Sequence, residues 1–241
     1  MRATMAQPRK SFGLSGPSKA LDPRVNAMRG DLADISLAGK HFSPHYVSPV
    51  EKFCVTPFAG IFDKPEGRQI SELLQGETFM LLDISGGWAW GYSKHDHYVG
   101  YVQADVLGDT PAAGPALKAP DAASAAESFL GKTYVWGGRG GSGIDCSGLV
   151  QRSLAAIGKV APRDSDMQLR ELGTPLPDGA GLQRGDLVFF PGHVGIMADG
   201  ETLIHATQHY GETVKEPLAD VVARIAREHA LPVLARKRLD A

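Results

Sequence analysis

Cysteine is scarce in this chain: Cys54 and Cys146 are the two among 241 residues. That excludes the disulfide framework of small secreted domains, and a lone bridge is not expected in a reducing compartment. Long apolar runs are also missing, since nothing approaches the ~18–20 apolar residues of a membrane span. The first twenty residues, MRATMAQPRKSFGLSGPSKA, hold no stretch long enough for a signal-peptide core. The expected location is therefore the cytoplasm, with no membrane partner. A basic excess is absent too: 25 Lys and Arg stand against 27 Asp and Glu, which argues against a nucleic-acid partner. What remains is a chain that is 43% hydrophobic, with core enough for one large or two small domains.

Texture divides it further. Residues 1–20 are polar and rich in Gly, Pro, Ser and Lys, and are expected to be a disordered tail. Residues 21–50, with Pro23, Pro44 and Pro49, read as a wrapping segment with one short helix near 30–38. Across 51–110, short apolar runs alternate with Gly, Pro and Asp, as in a small β-barrel. There QGETFMLLDISGGWAWGYSKHDHYVGYV resembles the second half of a bacterial SH3-like domain. Residues 111–121 are a Pro/Gly/Ala linker. Residues 122–241 begin with two helical patterns, ASAAESFLG and CSGLVQRSLAAIG, the second with Leu149, Val150, Leu154 and Ile157 at helical spacing. GDLVFFPG, HVGIMADG and TLIHATQ follow as strands, so an α+β domain is expected.

Cys146 stands where the second helix should start. Unpaired backbone N–H groups at a helix N-terminus favour a thiolate, lowering the pKa from its free value of about 8.5. A nucleophilic thiol also needs a base, and the base needs an orienting group. His193 and His205 are twelve residues apart on successive strands. If Ala198–Gly200 forms a three-residue loop, Met197 pairs with Glu201 and His193 faces His205 directly, with Gly200 in the left-handed position. A two-residue Asp-Gly turn would put the rings on opposite faces. Both loops are open to this sequence. Taken singly, a buried Cys packs a core and a strand His satisfies a local hydrogen bond.

YVWGGRGGSGIDCSGLVQ, PRDSDMQ, LQRGDLVFF, HVGIMADG and LIHAT resemble, in order, the motifs of the NlpC/p60 cysteine peptidases. The resemblance covers about 110 residues and implies a papain-like domain, helices packed on an antiparallel sheet, that cleaves cell-wall peptides without a cofactor. It implies Cys146 as nucleophile, His193 as base and His205 as the orienting residue. Tyr134 resembles a tyrosine that lines the site and assists the oxyanion; plain packing is the other reading. The cluster Gly137, Gly138, Gly140, Gly141 and Gly143 lacks the Lys of a phosphate loop, and close backbone approach accounts for it better.

The resemblance implies a cysteine endopeptidase cutting the γ-D-Glu–diamino acid bond of muropeptides with a free N-terminal L-Ala, as in cell-wall-recycling endopeptidases of the dipeptidyl-peptidase VI type. Alternatives are an acyltransferase or amidase on the same scaffold, or a non-catalytic wall-peptide binding module. A substrate ammonium needs a carboxylate, and Asp145 beside the nucleophile is the expected partner, with Asp96 as a second acid. Tyr98 is expected to close the site as a lid. Ser147, Arg163, Asp164 and Ser165 are expected to make polar contacts to the peptide. Helix capping is the other reading for Asp145, Asp164 and Ser165, and barrel packing for Tyr98. In KHDHY, His95 and His97 flank Asp96, but no further ligands stand out and no metal is implied.

Overall fold

The computed structural model describes residues 20–111, 113–114, 116–177 and 179–239. The expected N-terminal tail lies outside these, apart from residue 20. Among the described residues no helix is long and apolar enough to cross a membrane.

The segment before the barrel holds two short strands, β1 (Leu32–Asp34) and β2 (His45–Val47), paired in parallel. Of the short helix expected near 30–38, a 3-10 turn at Ile35–Leu37 forms, and the residues before it are a strand. Leu32, Ala33 and Asp34 are all buried as a strand, and the Asp34 carboxylate accepts from Ser36 N–H, turning the chain into a single 3-10 turn. This segment straps onto the barrel. Arg29 lies over the Trp90 ring at 4.7 Å, and Val99 N–H donates to Arg24 O.

Strands β3 (Val50–Cys54), β4 (Phe58–Phe62), β5 (Gln69–Leu74), β6 (Thr78–Ser85), β7 (Trp88–Ser93), β8 (Val99–Gln103) and β9 (Leu107–Gly108) make one sheet in the order β5-β4-β8-β7-β6-β3-β9. Its core is Cys54, Ile61, Leu73, Phe79, Ala89 and Val102. Cys54 is thus a packing residue in a different core from Cys146, and both thiols are free.

The C-terminal part contains α1 (Ala122–Glu127), α2 (Cys146–Ala155), α3 (Ser165–Glu171) and α4 (Leu218–Ile225). Its strands are β10 (Thr174–Pro175), β11 (Leu187–Phe190), β12 (His193–Met197), β13 (Thr202–Thr207), β14 (Glu212–Pro217) and β15 (Ala235–Arg238). They form an antiparallel sheet in the order β10-β15-β11-β12-β13-β14. Alternation along the strands divides the faces. Leu187, Phe189, Val194, Ile196 and Ile204 pack with Leu149 and Val150 of α2. Val188, Phe190, Met197 and Leu203 pack with Leu218 and Val221 of α4. Each such side chain, fully buried, contributes about 1.5–3 kcal/mol, so α2 is held to the sheet along its length. Gly158, at φ +77°, stops that helix in a left-handed cap.

One carboxylate of the barrel is held by several groups of this domain at their seam. Glu72 of β5, fully buried, accepts from the N–H groups of Arg139 (2.7 Å), Gly141 (3.1 Å) and Ser142 (2.9 Å), and from the Ser142 hydroxyl. The glycine-rich loop is an anion-binding nest, and its anion is a side chain of the neighbouring barrel. Arg139 reaches back to Glu77 at 2.7 and 3.1 Å and to Glu72 O at 2.8 Å. Close approach is the other requirement: a Cβ on Gly148 would lie 2.2 Å from Gly138 O, so the loop rests directly on the first turn of α2.

Candidate active site

Asp145 begins α2. Its Oδ1 accepts from Gly148 N–H at 2.7 Å, a regular N-cap, and its Oδ2 accepts from Gly137 N–H at 2.8 Å. Arg163 then donates to both oxygens, at 3.0 and 2.6 Å. The expectation that Asp145 awaits a substrate ammonium is therefore corrected, because a buried guanidinium already neutralises it. Ser147 is likewise engaged, accepting from Arg163 at 2.8 Å. Both Arg163 and Ser147 reach the cavity wall with these hydrogen bonds directed at the protein itself.

Cys146, 7% exposed, follows the cap. The backbone N–H groups of Val194 and Ser147 favour its thiolate, but burial, aided by the Asp145 charge, pushes the thiol up to about 12. The lowered thiol pKa expected from the helix N-terminus does not survive, because burial disfavours the thiolate and the Asp145 carboxylate one residue away adds to it.

His193 opens β12 and His205 lies on β13. Ile196 pairs with Ile204 and Met197 with Leu203, so the expected Met197–Glu201 pairing is displaced. Asp199 Oδ1 accepts from Glu201 and Thr202 N–H, both at 2.8 Å, and this turn centres the loop on 199–201. Gly200 is not in the left-handed region. The loop still has three residues, so the histidines keep one face and meet diagonally, His193 Nε2 to His205 Nδ1 at 2.7 Å.

Beyond them stands a residue that sequence reasoning missed. Glu216 of β14 lies 2.8 Å from His205 Nε2 and receives Arg224 at 2.5 Å and the Tyr210 hydroxyl at 3.2 Å. Burial disfavours its charge, yet the hydrogen bonds from Arg224 and His205 win and hold the carboxyl below its usual range. An ionised Glu216 accepts from His205 Nε2–H, which leaves His205 Nδ1 as an acceptor. His193 must then donate through Nε2–H, and its Nδ1 carries the free lone pair. Val194, the next residue, aims its N–H at the Cys146 sulfur, so nucleophile and base are neighbours. The relay Glu216–His205–His193 thus fixes the tautomer in which His193 can take a thiol proton.

Burial and the charges of His205 and Arg224 push His193 down to about 3. The resting pair is a neutral thiol beside a neutral imidazole, with one proton between them, which is the total the reaction needs. The acid limb of kcat/KM is expected below the free imidazole value of about 6.5, and the alkaline limb above the free thiol value of about 8.5. A plateau between those values is the expected profile; a limb centred near neutral pH would show that the pair is not insulated in this way.

A cavity of about 310 Å³ lies beside Cys146, lined by Tyr134, Tyr98, Asp164 and Ser165 among others. Burial, with Cys146 and Asp145 nearby, raises the Tyr134 hydroxyl and keeps it a proton donor. Tyr98, expected as a lid, is 4% exposed and donates to Asp164 at 2.9 and 3.1 Å; it is a fixed wall contributed by the barrel. Asp164 makes no side-chain cap bond to α3. Its carboxylate turns to the cavity, where Arg24 also reaches it at 2.8 Å. Asp96 is corrected: its fully buried carboxylate accepts from Gln151 at 2.8 Å, Tyr98 N–H at 3.1 Å and Ser93. It borders a different cavity with His95 and His97.

A cysteine at a helix N-terminus, packed against an antiparallel sheet that carries two hydrogen-bonded histidines and a glutamate in line, has the geometry that a thiol nucleophile with an imidazole base requires. Residues 131–225 match the NlpC/P60 family, and residues 61–107 match the bacterial dipeptidyl-peptidase SH3 domain. The chain thus carries an NlpC/P60 domain match preceded by an SH3 domain match. It is similar to the γ-D-glutamyl-L-lysine dipeptidyl-peptidase of Bacillus subtilis, 38% identical over 87 residues (32% of this chain, 28% of the relative). The Bacillus cereus protein of the same name is 41% identical over 113 residues (47% and 31%). Dipeptidyl-peptidase 6 of Lysinibacillus sphaericus is 37% identical over 82 residues (33% and 29%). The matched part therefore spans under a third of each relative's length. A solved NlpC/P60 family protein from Bacillus cereus aligns over 79% of this chain and 63% of its own, at 22% identity and a TM-score of 0.44.

Proposed function

We propose that the chain is a cysteine endopeptidase that hydrolyses the γ-D-Glu–diamino acid amide of muropeptides bearing a free N-terminal L-Ala. The names of the Bacillus relatives support a γ-D-glutamyl peptide as substrate. The observation that carries the ammonium requirement is Asp164. Around it Asp22, Asp164 and Asp166 face Arg24 and Arg170, three carboxylates against two guanidiniums, leaving one negative charge at the cavity wall. An ammonium removed from water needs such a counter-charge.

In this reading the Cys146 sulfur attacks the γ-carbonyl while its proton passes to His193 Nδ1. The oxyanion forms against the Tyr134 hydroxyl and the Cys146 N–H. Imidazolium His193 protonates the leaving amine as the C–N bond breaks, and water, deprotonated by His193, then cleaves the thioester and restores the thiol. A substrate with a free L-Ala amine has already been released from glycan, which is why recycling in the cytoplasm is the setting proposed.

Comparing kcat/KM for free and N-acetylated L-Ala-γ-D-Glu-diaminopimelate tests the proposal. The acetylated peptide is expected to lose about 10–10²-fold, because it forfeits a hydrogen bond between charged groups, worth about 1.5–3 kcal/mol, and leaves the excess negative charge of the cluster unanswered. Asp164→Asn should shrink that difference, whereas Tyr98→Phe should weaken both substrates. Equal rates on the two peptides in the wild type would sink the ammonium site.

A further inference from the structure

Four donors converge on the two oxygens of Glu216, which is 9% exposed. Its Oε1 faces His205 Nε2 at 2.8 Å and Arg224 Nη2 at 2.5 Å. Its Oε2 faces Arg224 Nη1 and the Tyr210 hydroxyl, both at 3.2 Å. Arg224 therefore grips both oxygens in a fork, the strong form of a guanidinium–carboxylate contact. It comes from α4, where Val221, three residues earlier, is buried on the sheet and turns Arg224 inward as well. Its guanidinium carbon also lies 5.6 Å from the centroid of the Tyr210 ring. The relay is not sealed behind this clamp. A cavity of about 200 Å³ reaches His193 and His205 between Arg224, Glu228 and His229, so water can bring a proton to the relay.

We propose that Arg224 is a positioning residue: by holding both oxygens of Glu216 it keeps a second proton off the Glu216–His205 pair, and so keeps His193 Nδ1 bare. This rests on the peptidase reading above, in which that lone pair takes the Cys146 proton. Without Arg224 an incoming proton has two places to settle, and both reverse the relay. On Glu216 it donates to His205 Nε2, and the proton of His205 moves to Nδ1. On His205 it makes an imidazolium, which donates from Nδ1 directly. Either way His193 Nε2 must accept, its proton sits on Nδ1, and no lone pair faces the thiol. Arg224 opposes both arrivals. Burial pushes His205 down, Glu216 works against that, and the Arg224 charge adds to burial. At Glu216 burial favours the neutral acid, and the Arg224 hydrogen bond leads the opposition. Tyr210, His193, His209 and His229, which also face the pair or its cavity, hold no permanent charge, and Glu228 has the opposite sign.

The test compares pH profiles of kcat/KM on L-Ala-γ-D-Glu-diaminopimelate in wild type, Arg224→Met and Arg224→Lys. In Arg224→Met the acid limb is expected to move up by about one to three pH units, so the loss is largest on the acid side and shrinks toward the plateau. Arg224→Lys keeps the charge but only one arm, and its limb should fall between the other two. A loss by the same factor at every pH, with the limb in place, makes Arg224 a packing residue and overturns the assignment. A profile equal to wild type overturns it too. The ring tautomers are read without turnover, by NMR of the histidine ring nitrogens in Cys146→Ala with and without Arg224→Met. Below the free imidazole value of about 6.5, His205 is expected to carry its proton on Nε2 alone while Arg224 is present, and to gain a proton on Nδ1 once it is gone. The same protonation pattern in both proteins sinks the proposal. Absence of all turnover fails the peptidase reading, and the ring nitrogens still decide whether Arg224 sets the tautomer.

Discussion

Cys146→Ala and His193→Ala are each expected to reduce kcat on L-Ala-γ-D-Glu-diaminopimelate by about 10⁶-fold, and the double variant to be little worse than either. In the proposed mechanism the thiol supplies the only covalent bond to the acyl group, and His193 Nδ1 is the acceptor that frees its electron pair. Neither functions without the other, so their losses overlap rather than add. Strict additivity would mean that the two groups act in separate steps, against the single unit the relay implies. Thermal unfolding should change little, since neither residue carries a packing role that a methyl group cannot partly fill. Glu216→Gln extends the argument along the relay. A glutamine can offer N–H to His205 Nε2, favouring the tautomer with the proton on Nδ1, and the order of donors reverses back to His193. A loss of about 10²–10⁴-fold is expected, as for other relays whose carboxylate becomes an amide. Activity within a few-fold of wild type would show that Glu216 is a structural acid beside Arg224 and no part of the tautomer lock.

The legible parts of this site are those built from local signals. Asp145–Cys146–Ser147–Gly148 announces a capped helix whose apolar spacing faces a sheet, and α2 lies there. The two histidines were legible as candidates, but the residues left open whether they share a face, and their pairing was not legible: Asp199 accepts two backbone N–H groups and moves the turn along by one pair. Glu216 was hidden because its place beside His205 depends on a third strand, where His205 pairs with Val214 and Glu216 sits diagonally. Arg24 and Glu72 were hidden for a longer-range reason. Each meets its partners across domains, Arg24 with Asp164 over 140 residues of chain and Glu72 with Arg139 over 67, and no periodicity reports such a contact. Asp145 shows the reverse error. It was read as free for a ligand because the sequence does not reveal that Arg163, eighteen residues on, is folded back onto it.

That pair sets the second large effect. Asp145→Ala is expected to destabilise the fold by about 3–5 kcal/mol, the usual consequence of stranding one member of a buried ion pair. Arg163 is 1% exposed, so its charge has no route to water when the carboxylate is gone. The same change removes the N-cap of α2, itself about 1 kcal/mol, and the acceptor for Gly137 N–H. Asp145→Asn keeps one acceptor, for Gly148 N–H at the cap, but its amide NH2 cannot accept from Gly137 N–H and the charge is gone, so it should fall between wild type and Asp145→Ala. Adding Arg163→Met to Asp145→Asn should recover much of the loss, because the stranded charge leaves with the arginine. Arg163 also donates to Ser71 of the barrel at 3.1 Å, close to the Glu72 nest, so the variants with an unpaired Arg163 should loosen the seam between the domains as well. Urea denaturation monitored by tryptophan fluorescence reads the stability, and limited proteolysis reads the loosening between the domains. A loss under about 1 kcal/mol in Asp145→Ala would place the pair among the weak exposed kind. It would also shift the burden of holding the nucleophile onto the backbone contact of Gly148 with Gly138 alone.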